Sequence, residues 1–180
     1  NSHESDYFTY SGRISKEKEI ENAIFILTEM QKKFSKITFN VVGEFESTEY
    51  RDEILKITED LDWVNIKGPM YGKEKKEEMQ NCAFAINPCS RESFGISTAE
   101  LCKMGKLVIA PYKGGQKEII QIKSLLYNDL QDCLNKLDSL LINPDEYYKY
   151  SNIIKHNSAK FSSEKFKEKV LFEVNNFKNE

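Results

Sequence analysis

The chain has 180 residues, enough for one domain with a complete core. Hydrophobic residues make up 39%, charged residues 31%, and the formal net charge is -3, so bulk electrostatics make no case for a nucleic-acid partner. No apolar run approaches the roughly 20 residues that a membrane span needs, and no signal peptide opens the sequence.

The first residue is Asn1, and residues 1–6 are expected to be a tag or linker remnant. Tyr7-Phe8-Thr9-Tyr10-Ser11 is a short β-prone run ending at Gly12, the expected first strand. Ile20, Ala23, Ile24, Leu27, Met30 and Phe34 recur at helical spacing and predict an amphipathic helix. Ile37 to Val42 predicts a second strand, closed by Gly43. The polar loop Glu44 to Thr48 then precedes a helix marked by Ile54, Ile57 and Leu61. Trp63 to Ile66 is the third strand, broken by Gly68-Pro69, and a charged helix covers Lys73 to Asn81. Ala83 to Asn87 is the fourth strand. Lys106 to Ala110 is the fifth, and Ser124 to Tyr127 a short sixth. Between the last two, Gly114-Gly115 opens a helix over Gln116 to Gln121.

The remainder reads as helices. Leu130, Cys133, Leu134, Leu137, Leu140 and Leu141 form one stripe. Asn143-Pro144-Asp145-Glu146 is a helix start with Asn as cap, Pro at the first position and Glu three after the cap. A last helix is expected from about Ser163, with Phe166, Val170, Val174 and Phe177 on one face. Strands alternating with helices at this spacing predict an α/β domain with a doubly wound, Rossmann-like parallel sheet and extra C-terminal helices. Ligands of such sheets bind outside the carboxyl ends of the strands, where strand order reverses. The Gly12, Gly68 and Gly114 loops and the stretch Arg91 to Glu100 all follow strand ends, so they should converge on one edge.

Cys82, Cys89, Cys102 and Cys133 form no C-x-x-C pair, and the two histidines are His3 and His156. No zinc pattern results, and reduced thiols in a cytosolic compartment are expected. Cys102 and Cys133 fall on apolar helix faces and are assigned to the core. Cys89 lies beside the expected site, with no base in sequence to make it a nucleophile.

The stretch Arg91-Glu92-Ser93-Phe94-Gly95-Ile96-Ser97-Thr98-Ala99-Glu100 carries most of the chemistry. It predicts a helix opening at Phe94-Gly95, with free backbone N–H groups and the positive end of the dipole turned to a ligand, a setting that favours an anion. Gly95 leaves room for close approach. Glu92 precedes the opening, and Glu100 lies about five residues inside, roughly 8 Å along the axis. A nucleotide sugar, with a diphosphate centre and a hydroxyl-rich ring at each end, fits that layout. By spacing alone the two glutamates read more readily as solvated helix-end charges. Gly12-Arg13 and Lys18 place two cations around a helix start, where acids are usual, which suggests an anion between them. A solvated basic pair fits those residues equally well. Gly68-Pro69-Met70 reads as either a breaker or a ligand contact.

Glu92-Ser93-Phe94-Gly95 with Thr98-Ala99-Glu100 resembles the E-x7-E signature of retaining glycosyltransferases of the GT-B fold, family 4 (the group 1 glycosyltransferases). Gly12-Arg13 with Lys18 resembles that family's G-R-x4-K element, and Gly114-Gly115 with Glu118-Ile119-Ile120 its G-G-x-x-E-I-I element. The resemblance covers about Tyr7 to Phe177, and only the C-terminal, donor-binding half of such an enzyme. It implies that Arg13 and Lys18 bind the donor diphosphate and that Glu92 holds hydroxyls of the donor sugar, which makes these three the catalytic candidates. It also implies that Glu100 accepts from the ribose and that backbone amides of Phe94, Gly95 and Ile96 hold the diphosphate or sugar. Gly12 and Met70 would line the site, and Gly114-Gly115 would let backbone come close to the ligand. The Phe94 side chain is expected in the core. Departures are Ser93 and Leu101, where the family usually has Gly and Ala, and the Gly-free stretch Gln121 to Ser124.

The implied function is transfer of a sugar from a UDP-, GDP- or ADP-sugar to an acceptor hydroxyl, with retention. No metal is expected: no D-x-D pair is present, and Arg13 with Lys18 would neutralise the departing diphosphate. The partner is the enzyme's own N-terminal GT-B domain, absent from this chain. The expected location is cytoplasmic, with any peripheral membrane association coming from that other half. The isolated domain should bind donor weakly and transfer no sugar at a useful rate. Two alternatives stay open: a GT-B UDP-sugar epimerase and a non-enzymatic Rossmann-like interaction module. A Rossmann dehydrogenase is not expected, because no G-x-G-x-x-G follows the first strand.

Overall fold

A computed structural model describes residues 6–161 and residue 171. Six parallel strands form one sheet in the order β3-β2-β1-β4-β5-β6. They are β1 (Tyr7–Ser11), β2 (Thr38–Val42), β3 (Val64–Gly68), β4 (Phe84–Ile86), β5 (Leu107–Pro111) and β6 (Leu126–Tyr127). The helices are α1 (Ile20–Gln31), α2 (Thr48–Thr58), α3 (Gly72–Asn81), α4 (Ile96–Lys103), α5 (Gln116–Ile120), α6 (Leu130–Ile142) and α7 (Pro144–Ser158).

The order follows from handedness. Right-handed crossovers that step outward from β1 to β2 and β3 carry α1 and α2 on one face of the sheet. The connection from β3 returns past both strands to β4, which puts α3 on the other face, joined there by α4 and α5. α6 packs against α1, and α7 against α4 and α5, so both faces are covered. Strand order therefore reverses between β1 and β4, and the loops leaving those two strands diverge to opposite faces.

Both faces of the central strands are covered, and their buried residues are mostly apolar, with Thr9 and Asn40 among the polar exceptions on β1 and β2. Phe8, Phe39, Phe84, Val41, Ile86, Leu107, Val108 and Ile109 are all buried. Phe8 sits beside Phe84 in the β1–β4 register, and their rings stack with centroids 5.0 Å apart. All four cysteines are free and buried. Among the described residues, no helix is long and apolar enough to cross a membrane.

Several details differ from expectation. In α2 the buried residues are Tyr50 and Ile54, not the stripe Ile54, Ile57 and Leu61. The Ser47 hydroxyl caps the helix by accepting from Tyr50 N at 3.2 Å, which fixes a rotation that turns Ile57 outward to 42% exposure. Leu61 lies beyond the helix end. Phe34, the last member of the predicted α1 stripe, also lies past its helix. The expected strand Ser124 to Tyr127 is shortened, because Lys123–Leu125 forms a 3-10 turn before β6. Asn143 occupies the cap position of α7 with Pro144 next, yet its side chain makes no cap bond. Phe166, Val170, Val174 and Phe177, which mark the expected last helix, lie outside the described residues. So do residues 1–5, most of the expected N-terminal remnant.

The Phe8–Phe84 stack holds the two strands whose divergence makes the reversal point. Phe8→Ala is expected to cost about 3–5 kcal/mol, read as a fall in urea midpoint at unchanged slope.

Candidate functional site

The carboxyl ends of β1 and β4 each feed a loop that the fold holds tightly. After β1, Gly12 N donates to Val42 O at 3.0 Å and Ile14 N to Glu44 O at 2.8 Å, so the loop runs on beside the end of β2. A side chain at Gly43 would place Cβ 1.8 Å from the Gly12 carbonyl oxygen, so only glycine permits this approach. The Tyr10 hydroxyl, beneath the loop, donates to Arg13 O at 2.7 Å, and burial pushes its phenol pKa up. Lys16–Lys18 then makes a single 3-10 turn before α1.

After β4, the chain crosses Asn87 to Phe94 and turns into α4 at Gly95, whose φ of +89° is the left-handed conformation that favours glycine. The opening predicted at Phe94-Gly95 is therefore where α4 begins. Four buried or half-buried polar groups brace this loop. Asn87 Nδ2 donates to Thr98 Oγ1 at 3.2 Å, and Thr98 Oγ1 to Gln116 Oε1 at 3.3 Å. Gln116 Nε2 donates to Cys89 O at 2.9 Å, and Cys89 N to Asn87 Oδ1 at 3.3 Å. Thr98 and Gln116 are fully enclosed, where an unpaired polar atom would be costly, so the ring of bonds fixes one loop conformation.

The two loops bound a groove made of two adjoining hollows. Gly12, Arg13, Lys18, Glu92, Phe94, Gly95 and Ile96 line the first, with Tyr10 and Asn87 at its floor. Gly43, Glu44, Pro69, Met70, Tyr71 and Lys75 line the second. Ser11, Gly12, Arg13 and Ser97 border both, so the hollows form one trough running across the opening of α4.

Each cation lining the trough faces a carboxylate. Lys18 Nζ lies 2.9 Å from Glu92 Oε2, with side chains only 19% and 16% exposed. Arg13 lies 3.0 Å from Glu46 and also pairs with Glu17, and all three side chains are open to solvent. Lys75 Nζ lies 2.6 Å from Glu100 Oε2. The Lys18–Glu92 pair is the most enclosed, so its attraction is the least screened. Burial raises the Cys89 thiol, and its Sγ donates to Glu17 O at 3.2 Å, so Cys89 is a neutral bridge between the loops and not a nucleophile.

Eight of the sequence-predicted residues thus meet in the trough: Gly12, Arg13, Lys18, Met70, Glu92, Phe94, Gly95 and Ile96. Glu100 stands one turn along α4 from Ser97 and is tied to the trough through Lys75. Two expectations need correction. Phe94 is not in the core: its ring is 43% exposed on the rim and meets Phe161 edge-on, because the turn into α4 points it away from the sheet. Gly114 and Gly115 do not line the trough. Their close approach is to the loop behind it: Gly115 N donates to Glu92 O at 2.7 Å, and Cβ atoms there would lie 2.8 Å from Glu92 O and 1.9 Å from Ser93 O. Glu118, on exposed surface, lines neither hollow.

Sequence reasoning passed over Tyr10, Lys75, Asn87, Thr98 and Gln116. Lys75 is one of several lysines in a charged helix. Gln116, the residue after Gly114-Gly115, carried the best available signal, a polar side chain beginning a helix that follows a buried strand.

The sequence matches the family described as glycosyl transferases group 1 over residues 1–161. The chain belongs to that family. No curated protein sequence matches it significantly. Solved glycosyltransferases share the fold of this group 1 domain. The pneumococcal O-GlcNAc transferase GtfA, solved with UDP and GlcNAc, superposes with a TM-score of 0.81 at 17% identity, over 98% of this chain and 37% of its own. Anabaena Alr3699/HepE, solved with UDP and glucose, gives 0.84 at 15% identity, over 96% of this chain and 48% of its own. The C-terminal domain of the group 1 protein LpcC from Francisella tularensis gives 0.74 at 20% identity, over 88% and 87%. The group 1 domain described here thus spans less than half of the first two proteins and most of the third. Its six-stranded Rossmann-like sheet is that of the C-terminal domains of GT-B glycosyltransferases.

Gly115→Ala tests the brace behind Glu92. The added methyl meets backbone and not a movable side chain, so a loss of about 2 kcal/mol or more is expected in urea unfolding, with displaced amide resonances at Glu92 and Ser93.

Proposed function

We propose that this chain is the C-terminal, donor-binding domain of a retaining, metal-independent glycosyltransferase, which moves a sugar from a nucleoside diphosphate sugar to an acceptor hydroxyl. One observation carries the proposal: Arg13, Lys18 and the opening of α4 face a single trough, with Glu92 at one end and Lys75–Glu100 at the other.

Each residue then has a role. The N–H groups at the opening of α4 and the Arg13 and Lys18 cations take the diphosphate, and their charge stabilises it as it leaves. That is the work a metal ion does in other sites, so the cations make one unnecessary. Glu92 accepts from hydroxyls of the transferred sugar and holds its reacting carbon towards the acceptor side. Glu100 accepts from the ribose hydroxyls. Pro69 and Met70 give the base an apolar wall. Tyr10, the Asn87–Thr98–Gln116 bonds and Gly114-Gly115 hold the loops in place. The acceptor and the groups that bind it belong to a second domain, and without it this chain binds donor weakly and does not transfer sugar.

UDP-sugars are the first donors to consider, since the pneumococcal and Anabaena proteins were solved with UDP. The test is calorimetric titration of this chain and of the full-length enzyme with UDP, GDP and ADP, repeated on Arg13→Ala and Glu100→Ala. One nucleotide should bind saturably, and each substitution should weaken it about tenfold, some 1.4 kcal/mol. Equal binding by the wild type and both variants, or no binding by the full-length enzyme at millimolar nucleotide, would refute the proposal.

A further inference from the structure

Glu19 sits in a backbone conformation meant for glycine. Its φ of 56° and ψ of 40° are left-handed, a region where a side chain carries a steric cost. The other described non-glycine residue with positive φ is Gln121, which ends α5, a place where that conformation is common. Glu19 likewise closes the 3-10 turn Lys16–Lys18, its N–H donating to Lys16 O at 3.2 Å, and it stands at the start of α1 with no side-chain cap bond to that helix. It reaches across to the loop after β4. Oε2 accepts from Ser90 N at 3.2 Å, and Oε1 accepts from Ser90 Oγ at 3.0 Å.

The neighbours on both sides show what this contact joins. Lys18 immediately precedes Glu19, and Glu92 lies two residues after Ser90; these two form the enclosed ion pair of the trough. Cys89 Sγ donates to Glu17 O one step further back. Three successive contacts, from 17 to 89, 19 to 90 and 18 to 92, thus stitch the start of α1 to the loop that carries Glu92. The Glu19 contact alone uses both oxygens of a carboxylate on two donors of one residue, so it fixes direction as well as distance.

We propose that Glu19 is a positioning residue for the donor site: it clamps Ser90 so that Lys18 and Glu92 keep their register when the diphosphate draws Lys18 out of its ion pair. This role rests on the donor-site reading above. It requires Glu19 in this chain specifically, because glycine would relieve the backbone strain yet break the clamp.

The experiment uses Glu19→Gly, which keeps the left-handed backbone, with Ser90→Ala removing one donor from the other side and Glu19→Gln as the conservative variant. Two readouts are followed by NMR: hydrogen exchange at the Ser90 and Glu92 amides, and titration with UDP and with UMP. UMP lacks the phosphate next to the sugar. The expected result for Glu19→Gly is faster exchange at both amides with the core amides unchanged. UDP affinity should fall about five- to tenfold while UMP affinity changes less than about twofold. Ser90→Ala should shift both readouts the same way, and Glu19→Gln should recover part of each. Unchanged loop exchange in Glu19→Gly overturns the clamp whether or not nucleotide binds. Faster exchange with an unchanged UDP-to-UMP ratio overturns the positioning role. If the wild-type chain and the full-length enzyme bind no UDP, the donor-site reading fails and this role fails with it, while the exchange data still report whether the contact orders the loop.

Discussion

The site depends on one topological constraint, the reversal of strand order between β1 and β4. Crossovers on either side leave in opposite directions, so no connection covers the carboxyl edge between these two strands. The loops there must turn sharply, and a glycine permits each turn, one at the end of the neighbouring β2 and one at the start of α4. Gly43 admits the Gly12 carbonyl, and Gly95 adopts the left-handed turn into α4. The resulting trough is open to solvent, yet its walls are anchored to the most deeply buried part of the sheet through Phe8, Phe84 and Val41.

Electrostatics complete what topology begins. The opening of α4 and the Arg13 and Lys18 cations line the trough, and carboxylates flank them. These charges pair with each other, Lys18 with Glu92, Arg13 with Glu46 and Glu17, and Lys75 with Glu100. On the proposed function, an incoming diphosphate exchanges partners and does not meet naked charge, which lowers the net gain from binding and keeps the groups oriented beforehand. Catalysis by such a site rests on positioning and on charge placed where the leaving group develops it.

The sheet was legible from sequence because its determinants are local. Short apolar runs closed by Gly or Pro, alternating with helical spacing, located all six strands and the convergence of the Gly12, Gly68 and Arg91–Glu100 loops. What was not legible depends on contacts between distant segments. The rotation of α2 is set by the Ser47 cap and the burial of Tyr50, so Ile57, apolar and at helical spacing, faces out. Phe94 is apolar and beside a helix start, but the Gly95 turn decides that it faces the rim. Gly114 and Gly115 are small because the Glu92–Ser93 backbone lies behind them, a fact with no trace in their own neighbourhood. The Thr98–Gln116 bond joins residues 18 apart in sequence, both of ordinary type.

The most direct test of the central claim, that the trough between β1 and β4 holds a nucleoside diphosphate, is an amide chemical-shift map of this chain with UDP added. The account predicts saturable shifts concentrated at Gly12, Arg13, Gly95, Ser97 and Met70. Shifts concentrated instead in the apolar groove between α1 and α2, around Phe25 and Ile57, would contradict it.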